Sequence, residues 1–196
     1  MLSKTHITIG LATALTLCAP QTPEDVLPVV VGGAIGSVIC DIDCTYKRPT
    51  KDALIGRIVA GAIAAVAIFL DARWQGVLAQ YYSHTGMVPI IVGALIFSAL
   101  SHGVRGTDHR TVSHSLLAVA GWCLAVGLFC FPILPAFAVG ITTHLLLDLV
   151  NIRPLQLLYP MKRGFSLKWC PAHSKADWVL FGVGLVWLAV WFAIWI

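Results

Sequence analysis

Two histidines with an arginine between them stand in "DHRTVSHS" (108–115), and a histidine and an aspartate four residues apart stand in "HLLLD" (144–148). On a helix an i, i+4 pair shares one face, so His144 and Asp148 can reach a common ion or each other. His109 and His114 are five apart, which on a continuous helix sets them about 140° from one another. Both can turn to one ion only if the chain changes conformation between them. Thr111 or Ser113 supplies such a change as the N-cap of a helix that starts there, with Asp108 and His109 still in the loop. Arg110, beside the free N–H groups of that helix start, predicts an anion site suited to phosphate or carboxylate. In "CDIDC" (40–44), Asp41 and Asp43 close an apolar, glycine-containing segment. Once the helix has ended, two such carboxylates can converge on a cation, or one can serve as general base. His6 in "KTHITIG" is the last member. Each motif also has a plain structural reading: Asp148 bonding a helix terminus, "DHRTVSHS" as a solvated loop over lipid headgroups, the aspartates paired with Lys47 or Arg48, and His6 as an interfacial anchor.

The elements that must carry these residues belong to a membrane protein. Of the 196 residues 58% are hydrophobic and 11% charged, with mean hydropathy +0.86, against about 25% charged in a soluble domain. A crossing needs about 20 apolar residues. Segments 53–70, 86–101, 114–131, 133–150 and 176–196 meet or approach that length, and 5–18 and 26–40 are shorter, embedded helices. The first resembles a secretory signal, but no small-x-small cleavage site follows it, so it is read as a helix. The expected fold is all-α: one integral domain over 1–196, a polytopic transmembrane bundle of about seven membrane-embedded helices with a cytoplasmic N-terminus. Residues 71–85, with Trp74, Tyr81 and Tyr82, form an interfacial segment. In this topology loops 1–4, 41–52, 102–113 and 151–175 face the cytoplasm and hold Lys4, Lys47, Arg48, Lys51, Arg105, Arg110, Arg153, Lys162, Arg163, Lys168 and Lys175, nearly all the basic residues, as the positive-inside rule requires. A plasma-membrane location follows, with lipids as neighbours and no nucleic-acid partner.

Topology also gathers the polar motifs. His6, Asp41, Asp43, His109, His114, His144 and Asp148 all fall at cytoplasmic helix ends, and ionisable groups within membrane segments mark function or a partner. His84 falls on the opposite side, His102 is a weak candidate, and His173 has no spacing relation to the others. The six cysteines form no CxxC pair and read as small packing residues, with ligation as the alternative for Cys40 and Cys44, which flank the acidic pair.

The ordered set "TH", "DID", "HRTVSHS" and "HLLLDLVNIRPLQLLYP" followed by "RGFSL" resembles the bacterial membrane-bound metal-dependent hydrolases, a family also described as LexA-binding, inner-membrane-associated hydrolases. The resemblance covers about residues 5–167. It departs at Cys40, where the family usually has Pro, and at Thr111 and Val112, where it usually has Gly-Pro or Gly-x. Carried over by position, it implies metal and catalytic roles for His6, Asp41, Asp43, His109, His114, His144 and Asp148. The expected site has His6, Asp43, His109, His114, His144 and Asp148 as metal ligands and Asp41, Asp43 and Arg110 as catalytic groups. Nitrogen and carboxylate donors favour one or two divalent ions, Zn²⁺ first, with Mn²⁺ or Fe²⁺ as alternatives. A site at headgroup depth suggests a lipid or lipid-linked phosphoester. Two other readings remain: a metal-ion or proton transporter, and a non-catalytic scaffold for a cytosolic regulator.

Overall fold

The computed structural model describes residues 1–44 and 50–195, which leaves Lys47 and Arg48 outside the described residues. These residues build eight α-helices and no strand: α1 (Ser3–Cys18), α2 (Pro23–Gly36), α3 (Lys51–Trp74), α4 (Val77–His84), α5 (Met87–Val104), α6 (Leu116–Phe129), α7 (Leu134–Val150) and α8 (Lys175–Trp195). The seven apolar segments each become a helix, and the interfacial segment contributes the short α4. Helices α3, α5, α8 and the stretch Phe131–Val150 are long and apolar enough to cross a membrane, while α6 is a shorter apolar helix. The all-α membrane bundle is as expected, while the exact count of seven membrane-embedded helices is not confirmed. At 1.5 Å per residue, the 16 and 14 residues of α1 and α2 fall well short of the roughly 30 Å hydrocarbon core. They persist because α1 is sheathed by α2, α3, α7 and α8, so its backbone and its polar Ser3, Thr5 and His6 are buried in protein rather than lipid.

Small residues set the closest contact. A Cβ on Gly140 of α7 would lie 2.7 Å from Gly33 O and 3.0 Å from Ser37 N, so α2 and α7 meet nearly backbone to backbone, as small residues permit in membrane bundles. One Cβ on Gly10 of α1 would overlap the Ser37 hydroxyl. Three helices thus converge where α2 ends.

The charged residues at the helix starts are used as caps across helices. Leu2, at the N-cap of α1, has no side-chain acceptor to offer. Carboxylates from two neighbours replace it: Asp177 of α8 accepts from Leu2 N–H and from the Thr5 hydroxyl (2.8 Å), and Asp52 of α3 accepts from Ser3 N–H (2.8 Å) and the Ser3 hydroxyl (2.9 Å). Negative charge at a helix N-terminus is favourable on its own account, and here it fixes the depth and rotation of the turn that carries His6.

Candidate metal centre

All seven histidine and aspartate residues expected at the site, the six ligands and Asp41, meet at one end of the bundle. His6 projects from the first turns of α1, and its ring stacks on that of His144 with centroids 3.9 Å apart. His144 and Asp148 project from the last turns of α7 with the expected i, i+4 relation. Asp41 and Asp43 lie on the 3₁₀ turn Ile39–Asp43 that follows α2, where a tighter winding sends the two carboxylates to different partners. Asp41 Oδ1 faces His114 and His144 Nε2, each at 3.7 Å, and Asp43 faces His109 and Ser113. The Arg57 guanidinium fixes the turn by donating to Asp41 O at 2.7 Å.

The break between His109 and His114 is present, but not where the caps were expected. Arg110 sits in the left-handed region at φ 67°, a 3₁₀ turn spans Val112–His114, and Ser115 rather than Thr111 or Ser113 caps α6 by accepting from Ala118 N–H. Both histidines therefore precede the helix. The expected anion site is not built there either. Leu116 N–H is taken by Leu157 O at 2.9 Å, and the Arg110 guanidinium donates to Asp148 Oδ1 at 2.7 Å and to Arg153 O at 2.7 Å. The guanidinium holds Asp148 in place and commits both terminal nitrogens, and among the described residues only its buried Nε has no partner.

Two imidazoles have their roles fixed by their neighbours. His144 Nδ1 donates to Ser37 O at 2.7 Å, which leaves Nε2 as the electron-pair donor. His114 Nδ1 lies 2.8 Å from the Ser113 hydroxyl, which itself donates to Asp43 Oδ2, so its Nε2 is also turned inward. The two Nε2 atoms are 3.3 Å apart. Two bare nitrogens at that distance repel unless a cation or proton lies between them. Two nitrogens bound to one tetrahedral zinc, each at 2.0–2.1 Å, would be roughly 3.3 Å apart. Among the described residues His6 Nδ1 is buried without a hydrogen-bond partner, which is costly unless a ligand satisfies it.

Three overlapping donor sets result, each with its atoms within 4.8 Å of one another: His6, His144 and Asp148; Asp41, His114 and His144; and Asp41, Asp43, Cys44 and His109. Asp148 is the hub of the first, with the Met1 amino nitrogen 3.1 Å and His6 Nε2 3.5 Å from its Oδ1 and His114 Nε2 3.5 Å from its Oδ2. Burial opposes ionisation of Asp41 and Asp43, but the surrounding histidines outweigh it and hold both carboxyls below their ordinary range. For His114 burial disfavours the charged ring, and bonds to Asp148, Asp41 and Asp43 reverse this and raise it well above its ordinary value. Burial and then the charges of Asp41 and Asp43 push the Cys44 thiol up. These directions describe ionised carboxylates gathered around a ring that they hold in its charged form.

The centre opens through a cavity of about 300 Å³ lined by His6, Asp41, His109, Arg110, Asp148, Arg153 and His173 among others. His173, set aside on spacing, is brought to this mouth by the 151–174 loop, whose bridges Asn151 to Cys170 and Leu155 to Phe165 fold it back over the helix ends. His84 caps the far end of α4 and His102 is exposed, so neither joins. Sequence reasoning missed the Ser37 carbonyl, Asp52 and Asp177, gave Ser113 only a capping role, and preferred packing to ligation for Cys44, whose sulfur is 3.3 Å from His109 Nδ1. Only "SH" at 113–114 offered a local clue; the rest are long-range pairings.

An all-helical membrane bundle with a buried histidine and aspartate centre at one end is the class of protein that this fold and site define. The chain belongs to the YdjM inner membrane protein family, which matches it over residues 1–196 and places it in the inner membrane. No curated protein and no solved structure matches it.

Proposed function

We propose that the protein is a metal-dependent hydrolase whose site opens at the cytoplasmic face of the inner membrane and takes a lipid or lipid-linked phosphoester. The observation that carries this reading is the 3.3 Å approach of His114 and His144 Nε2, each ring fixed through its other nitrogen. His114, His144, His6 and Asp148 would hold a divalent ion, with zinc suited to this nitrogen and oxygen set. An ion there supplies Lewis acidity, lowering the pKa of a water toward neutrality and polarising an ester oxygen.

The chain's own groups do the rest. Asp41 lines the cavity, and among the described residues its side chain meets no guanidinium or hydroxyl, so it is the carboxylate that would accept the proton of the attacking water. Asp43 positions His109 and, through Ser113, His114. Arg110 positions Asp148. Arg153 and His173, at the mouth, are the groups placed to meet a phosphate. Concentration of the site's ionisable groups at one end of the bundle supports hydrolysis over conduction, which needs such groups at mid-depth.

The test is elemental analysis of detergent-purified protein and of a His144→Ala, Asp148→Ala variant, paired with a screen of lipid phosphoester hydrolysis. We expect stoichiometric transition metal and turnover in the wild type and loss of both in the variant. Wild-type protein without such metal would overturn the reading, and passage of tracer ions across proteoliposomes without turnover would replace it with transport.

A further inference from the structure

We propose that Cys44 is a metal ligand, closing with Asp43 and His109 a second cation position beside the inner histidine set, one suited to a thiophilic divalent ion such as Zn²⁺. The inference rests on the reading of the cluster as a metal centre and adds to it a sulfur donor and a second ion.

Cys44 ends the 3₁₀ turn that carries both aspartates, and its N–H donates to Asp41 O at 3.1 Å. That turn aims Sγ at His109 Nδ1, 3.3 Å away, while Asp43 Oδ1 approaches the same nitrogen at 2.9 Å. Adjacent donors on one tetrahedral zinc are separated by roughly 3.3–3.6 Å, given Zn–N and Zn–O of 2.0–2.2 Å and Zn–S of 2.3 Å. The observed spacings lie within a few tenths of an ångström of that range.

Two other uses of the pair fit less well. In a cysteine nucleophile activated by histidine, the orienting carboxylate holds one ring nitrogen and the sulfur meets the other. Here sulfur and carboxylate converge on a single nitrogen, which cannot take the thiol proton while giving its own to Asp43. A purely structural arrangement, with the His109 Nδ1–H and the Cys44 thiol both directed at Asp43, would not account for Asp41 bringing a fourth donor atom within 4.8 Å of the other three. A cation satisfies all of them together. The two flanking cysteines are also unequal: Cys40 packs in the apolar core, whereas Cys44 lines the open cavity. The position's remaining side faces Asp41 and that cavity, so it stays accessible to solvent and substrate.

The experiment uses full-length protein in detergent, stripped of metal and titrated with Co²⁺. Wild type should bind two ions and show a near-ultraviolet thiolate-to-cobalt charge-transfer band. Cys44→Ser should lose that band and one of the two ions while keeping the inner one, which also reports that the fold is intact. Cys44→His should restore the second ion without the band, and it serves as the second variant if the serine form does not fold. Wild type that binds one ion with no thiolate band, or a Cys44→Ser protein with an unchanged spectrum, overturns the second site and leaves the inner centre standing. Wild type that binds no cobalt overturns both.

Discussion

Ser113 holds two members of the centre at once, because its hydroxyl donates to Asp43 and meets His114 Nδ1 at 2.8 Å. Removing it leaves His114 free to change tautomer and strips a donor from a buried carboxylate. Groups that orient a metal-binding histidine contribute about 10–100-fold to affinity, so Ser113→Ala should weaken zinc binding by that order in a chelator competition while the protein still folds; unchanged affinity would remove Ser113 from the centre. Arg110 makes a complementary case. Breaking a buried ion pair by deleting one partner costs about 3–5 kcal/mol, so Arg110→Met should lower the thermal midpoint of the ion-free protein. A bound ion replaces part of the lost positive charge at Asp148, so zinc should raise the midpoint of the variant by more than that of wild type. An equal increment in both would show that Asp148 is not a ligand. At this scale the sequence carried the residue types well, because a histidine or aspartate amid apolar residues has few innocent explanations. It could not carry their second partners. The Ser37 carbonyl is invisible in sequence, and Arg110 beside a helix start looked free when its guanidinium was already committed to Asp148.

The meeting of α2 and α7 delivers the Ser37 carbonyl to His144, and it depends on glycine. A Cβ at position 140 would stand 2.7 Å from Gly33 O, a backbone atom that cannot swing aside. Gly140→Val must therefore push the helices apart, at about 1–3 kcal/mol for overpacking, and lengthen the 2.7 Å bond that fixes the His144 tautomer. We expect a membrane-inserted protein that has lost most of its bound metal, read by elemental analysis of the purified variant. Gly182→Ala on α8, where an added Cβ meets nothing within 4 Å, should retain its metal, and loss there would show that the first result was general damage. Element existence was legible because each apolar run is bounded by polar or turn residues. Boundaries were less so. Segment 26–40 ends its α-helix at Gly36 and finishes in a 3₁₀ turn, and the cap of α6 falls at Ser115, since Thr111 and Ser113 serve the loop and the centre instead. The short apolar runs of α1 and α2 were legible as embedded helices, but hydropathy does not tell which neighbours sheathe them.

Across the whole molecule, polarity separates the two ends. The centre, its cavity and the 151–174 loop with Lys162, Arg163 and Lys168 lie at one, and α4 with His84 and the α1–α2 turn with Glu24 and Asp25 lie at the other. The positive-inside rule counts Lys and Arg in short loops near the membrane, and by that count the first end faces the cytoplasm. This orientation decides whether the centre meets substrates of the inner or the outer leaflet. Lys162 and His84 are both exposed, so each can report on its side without disturbing the core. In intact cells with a permeable outer envelope, a membrane-impermeant maleimide should label His84→Cys above the wild-type background and leave Lys162→Cys at that background. After the inner membrane is opened, both should react. Labelling of Lys162→Cys in intact cells would invert the topology, and with it the proposed cytoplasmic substrate, while leaving the metal centre intact, since the His114 and His144 contact rests on helix and loop contacts within the bundle whichever way it faces.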